Sequence, residues 1–205
     1  MATPNYGDRH RTGYALLVPR STDARAKAVR AAGRLFQEQG YAATGLTEVI
    51  ERSGSPKGSF YFHFPGGKEQ LAVEALTTAG ESVAEALRGL VARAPSPARL
   101  VRDYVKLQER MLEESGFRQG CPIATVTLEM ASESQPIREA AAAVFALWSG
   151  ILADYLTQHD HRPADAARLA EHIVATLEGA LLLARARQST KPLRNAVHTL
   201  TTTLR

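Results

Sequence analysis

Gly54–Phe64 reads GSPKGSFYFHF, and these eleven residues decide how the rest of the 205-residue chain is read. Gly54 ends one short segment, and Ser55 is placed to cap the next. Pro56 takes a first helical position, where its missing N–H costs no hydrogen bond. The helix expected from Pro56 to about Phe62 is studded with Lys57, Ser59 and Tyr61, with His63 just beyond, and Pro65-Gly66-Gly67 breaks it. A short, capped, polar and aromatic helix behind a glycine turn looks like the second half of a helix-turn-helix. That motif sets its second helix in the major groove of DNA.

Spacing divides the labour on this helix. Positions 57, 58, 61 and 62 share one face, while Phe60 and Phe64 fall on another. The two phenylalanines are expected to pack with Leu35, Phe36, Val49 and Ile50 in a small core. Lys57, Gly58, Tyr61 and Phe62 would then face the groove. Lys57 can donate to guanine O6 and N7, and Gly58 allows close backbone approach. Two readings of Phe62 stay open, a contact with thymine methyl groups or packing on the domain edge. Thr47, at the start of the preceding helix, has a hydroxyl and nearby amide donors suited to a phosphate.

Working outward, Asp23–Gln39 shows helical spacing through Ala24, Ala28, Ala31, Ala32, Leu35 and Phe36, with Thr22 as its cap and Gly40 as its stop. Leu46–Ser53 is a second, short helix. Downstream, helices are expected over Lys68–Ala92, Pro97–Glu114, Pro122–Ser132, Gln135–Thr157, Ala164–Arg187 and Leu193–Thr203, and no convincing strand alternation is present. The fold is therefore all-α with about nine helices. Residues 1–21 read as a flexible tail, 22–67 as a three-helix domain with its motif at about 45–64, and 68–205 as a second helical domain.

Charge is distributed unevenly. Residues 1–68 hold ten Lys and Arg against five Asp and Glu, whereas 69–205 hold fifteen against sixteen. The positive surplus thus lies with the candidate reading helix, as phosphate contact requires. The single Cys121 rules out a disulfide framework within the chain and fits a reducing cytoplasm. No apolar stretch is expected to approach the length of a membrane span, and the first residues lack a signal-peptide core.

Residues about 22–76 resemble the DNA-binding domain of the TetR family of bacterial transcriptional regulators. The marks are LFxxxGY at Leu35–Tyr41, Thr44 ahead of the second helix, the G-x-x-K-G-S-F-Y-x-H-F run, and Lys68-Glu69. FPGGKEQL and GCPIATVTLE (Gly120–Glu129) are similar to the LmrA/YxaF-like subgroup. This resemblance implies phosphate contacts by Thr44, Tyr61, His63 and Lys68, with Ser59 a further candidate. It also implies a repressor released from a near-palindromic operator by a small apolar effector, often flat and aromatic.

Tyr104, Met111, Ile123, Met130, Phe145 and Trp148 are the residues expected to line that effector's pocket. The Ala164–Arg187 helix is apolar around more than one face, with Leu182 and Leu183 extending the surface. It is expected to join Leu193–Leu204 in a four-helix homodimer interface. His159-Asp160-His161 is read as a solvated turn, Cys121 as a buried thiol and Arg9-His10-Arg11 as part of the tail. No catalytic residues, metal site or cofactor are expected, because no nucleophile–base order or phosphate loop is present.

Overall fold

The computed structural model describes residues 21–55 and 57–204. Residues 1–20, with their Arg9-His10-Arg11 cluster, lie outside the described residues, as do Pro56 and the Ser59 side chain. Nine helices and no strand make up what is described: α1 (Ser21–Gln39), α2 (Leu46–Ser53), α3 (Lys57–His63), α4 (Gly67–Val91), α5 (Pro97–Glu114), α6 (Pro122–Met130), α7 (Gln135–Thr157), α8 (Pro163–Arg187) and α9 (Lys191–Thr203). Because α1 already includes Ser21, Thr22 is helical rather than a cap.

The stops and starts have local causes. Gly40 and Gly54 end α1 and α2 in the left-handed region, at φ 84° and 65°. Ser96 caps α5 by accepting from the Arg99 N–H, and Ser134 caps α7 by accepting from the Ile137 N–H. Each of these caps is followed by a proline in the first turn. The Ser55 hydroxyl donates to the Ala24 carbonyl of α1 at 3.2 Å, tying the entrance of α3 to the first helix.

Leu35, Phe36, Val49, Ile50, Phe60 and Phe64 are all buried, with the Phe60 and Phe64 rings 5.0 Å apart. Fully burying a side chain of this size stabilises by about 1.5–3 kcal/mol, so these six fix how α3 sits on α1 and α2. Beyond them, α4 packs along α1 and α7, and α7 along α8. The α4–α7 crossing is close because Gly80 has no side chain. A Cβ there would fall 2.5 Å from a Val144 methyl, and the Trp148 Nε1–H donates to the Gly80 carbonyl at 2.9 Å.

Two expectations change. By length and composition α7 alone among the described helices could cross a membrane, which the sequence reading did not anticipate. Its Ile137, Ala141, Val144, Trp148, Leu152 and Leu156 are instead buried against neighbouring helices. The second change concerns α9. Its Leu193, Ala196, Leu200 and Leu204 are already buried in this chain, where α9 packs on α5 and α8, so the outward face is left to Arg194, Asn195, His198 and Thr202.

Candidate nucleic-acid interface and ligand cavity

The reading helix carries its polar and aromatic groups outward from the buried pair Phe60 and Phe64. Lys57 and Gly58 are exposed, Tyr61 is 53% exposed and Phe62 is 81% exposed. A Cβ on Gly58 would meet nothing within 4 Å, so internal packing does not call for glycine there. At that exposure Phe62 has no domain edge to pack on. Thr47 is exposed in the first turn of α2, where helix N–H groups lack internal acceptors.

His63 and Lys68 are half-buried at the rim. The Lys68 ammonium lies 4.2 Å from the centroid of the Tyr41 ring, a cation–π contact. Burial lowers its pKa, with the Glu129 carboxylate pulling the other way. Nε2 of His63 is buried with no hydrogen-bond partner among the described residues. Thr44 differs from the expectation of a phosphate contact. It is 1% exposed and its hydroxyl donates to the Gly40 carbonyl at 2.7 Å, closing the α1–α2 turn from within.

That turn is also held from α6. Glu129 accepts from the Tyr41 N–H at 3.0 Å and the Ala42 N–H at 2.6 Å, one carboxylate oxygen to each amide. Hydrogen bonds to an ionised acceptor are about twice as strong as neutral ones. Gly40, at φ 84° in the left-handed region that strains other residues, leaves room for the Glu129 carboxylate beside it. Nearby, the Gly120 N–H donates to the Gln37 carbonyl, and Arg118 reaches Glu38. The sequence reading singled out GCPIATVTLE as a motif but did not see that its last residue grips the first turn.

A cavity of about 390 Å³ lies between α1, α4, α5, α6, α7 and α8. Four of the six expected effector residues line it, Tyr104, Met111, Ile123 and Trp148. Two do not. Phe145 borders two other spaces, of about 290 Å³ beside α6 and α8 and about 510 Å³ between α7 and α8, and Met130 packs against the core. The walls also include Val29, Gly33 and Gln37 of α1 and Ala75, Ala79 and Val83 of α4, so the space reaches helices that carry the reading domain.

Gln108 and Glu178, also on the wall, were not anticipated. Burial raises the Glu178 carboxyl to about 7, partly offset by a hydrogen bond from Cys121. Burial and the nearby Glu178 push the Cys121 thiol well above its usual range. The one signal in the sequence was a lone acid within the apolar run Ile173–Leu183.

Comparison with known proteins places these features. The profile of bacterial regulatory proteins of the tetR family matches residues 28–75, and that of the LmrA/YxaF-like transcriptional regulator C-terminal domain matches residues 97–199. The HTH-type transcriptional regulator LmrA of Bacillus subtilis is 34% identical over 83% of this chain and 91% of its own length. An HTH-type transcriptional regulator of Mycobacterium tuberculosis is 38% identical over 82% of this chain and 88% of its own. A regulatory protein TetR from Rhodobacter sphaeroides superposes with a TM-score of 0.79 at 25% identity, covering 87% of this chain and 97% of that one.

Proposed function

Since the chain belongs to the tetR family of bacterial transcriptional regulators, with an LmrA/YxaF-like C-terminal domain, we propose that it represses transcription from a near-palindromic operator and is released by a small apolar effector. It is a DNA-binding regulator of a family whose members are not enzymes. In this reading residues 22–67 form the reader and 68–205 the effector and dimerisation part, acting in the cytoplasm. Lys57, Gly58, Tyr61 and Phe62 meet base edges. Thr47, Ser59, His63 and Lys68 hold the backbone.

The observation that carries the regulatory half is the reach of the cavity to α1 and α4. A ligand filling it bears on both helices that support the reading domain, so its fit depends on their angle. Only a ligand that prefers the non-binding arrangement can release DNA, and a hundredfold loss of operator affinity requires about 2.7 kcal/mol of coupling.

A two-fold operator calls for a two-fold protein. The outer α7–α8 face, where α8 carries the exposed Leu182 and Leu183, is the surface we assign to the second copy. There Ala142, Ala146, Ala167 and Ala175 border an open space of about 510 Å³, and Leu182 is 59% exposed.

Titration of Lys57→Ala and Lys68→Ala against the chain's own upstream DNA and a shuffled duplex tests the reader. Lys57→Ala should cost about 1–3 kcal/mol on the upstream duplex alone. Lys68→Ala should weaken both duplexes alike. Equal losses on the two duplexes for Lys57→Ala would remove it from base reading.

A further inference from the structure

Of the chain's six phenylalanines Phe62 alone is exposed, on the side of α3 that carries Lys57, Gly58 and Tyr61. Its ring and that of His63 are T-shaped, with centroids 5.5 Å apart and planes at 73°, a contact that steadies the outward phenyl group. Helical side chains lean towards the N-terminus, on the side of the residue four positions earlier. For Phe62 that residue is Gly58, which has no side chain, and a Cβ there would meet no atom within 4 Å. The approach to the ring across position 58 is therefore open. Neither feature serves the fold: packing asks for no phenyl group outside the core, and glycine within a helix costs stability relative to alanine.

We propose that Phe62 is a specificity-determining residue whose ring packs on the C5 methyl of a thymine in each half-site, with position 58 left open to admit that base edge. The proposal rests on the reading of α3 as the helix that enters the major groove, and names what one of its residues recognises there. Base edges in that groove carry hydrogen-bond donors and acceptors and one kind of apolar group, the thymine methyl. A phenyl ring gains by covering that methyl. Against the polar edge of a purine, or the amino group of cytosine, it would strip water without supplying a partner. Phe62 thus selects its base by contact with the methyl and by the cost of covering anything else.

Anisotropy titrations of the full chain on its upstream duplex, and on the same duplex with deoxyuridine in place of thymidine, test this. Deoxyuridine pairs alike and lacks only the methyl. The native chain should bind the thymidine duplex about tenfold more tightly, the worth of one buried methyl in each of two half-sites. Phe62→Ala, which leaves the buried Phe60 and Phe64 in place, should bring that ratio close to one. Phe62→Leu keeps an apolar contact and should retain most of it. Tyr61→Ala should weaken both duplexes and leave the ratio near tenfold. Single deoxyuridine replacements should confine the loss to one position in each half-site. Equal affinity of the native chain for the two duplexes, a ratio that survives Phe62→Ala, one that vanishes with Tyr61→Ala, or a loss spread evenly over the thymines overturns the proposal. A shuffled duplex separates it from the reading beneath. Preference for upstream over shuffled DNA without preference for thymidine counts against the methyl contact alone. Upstream and shuffled duplexes bound alike count against α3 as the reader, and the contact falls with it.

Discussion

At Glu178 a carboxyl with an ordinary value of 4.5 is carried by burial to about 7. Its ionisation therefore opposes folding. Below about pH 4.5 both folded and unfolded chains hold the proton and no stability is lost. As pH rises towards 7 the unfolded chain ionises first, and the folded state falls behind by about 3 kcal/mol once the pH passes the folded value. Urea midpoints at pH 5 and pH 8 check this. The native chain should lose stability relative to Glu178→Gln across that interval, and parallel curves would show that the carboxyl is solvated. The comparison with the variant cancels the titration of the six histidines.

Among the elements, α6 is short but touches both the cavity and the α1–α2 turn. Cys121 and Ile123, in its first turn and cap, line the cavity, while Glu129, near its last turn, holds the Tyr41 and Ala42 amides. Glu129→Ala should preserve the fold and lower upstream-duplex affinity about tenfold, since hydrogen bonds to charged groups contribute about 1.5–3 kcal/mol. Affinity for shuffled DNA should hold, because it depends on surface lysines and arginines. Anisotropy titrations on the two duplexes decide it; no change on either would reduce the clamp to packing.

A second test at this scale concerns assembly. Ala146→Arg on α7 should give a monomer in equilibrium sedimentation at micromolar concentration, and His198→Arg on α9 should leave the dimer intact. The opposite pattern would return the interface to α9.

For the whole molecule, the parts legible in the sequence are those set by local chemistry. Prolines at first turns and glycines at stops marked the helices, and the four-residue spacing of Phe60 and Phe64, the latter just past α3, told the buried side of that helix from the exposed one. What stayed hidden depends on segments far apart in the chain. Periodicity shows that α9 has an apolar face but not that α5 and α8 already cover it. It marks Phe145 and Met130 as apolar but not that they lie off the cavity, and it cannot bring α1 to the wall of that cavity. The motif position of Thr44 likewise says nothing of where its hydroxyl turns, which is inward to the Gly40 carbonyl.

The central claim is that a two-fold pair of α3 helices reads a particular DNA sequence, and equilibrium anisotropy on two duplexes tests it most directly. One duplex carries the DNA upstream of the chain's own coding sequence, the other the same bases shuffled, both in 150 mM salt. Two protomers should bind the upstream duplex at least about a thousandfold more tightly than the shuffled one. Equal affinity for the two would contradict the account.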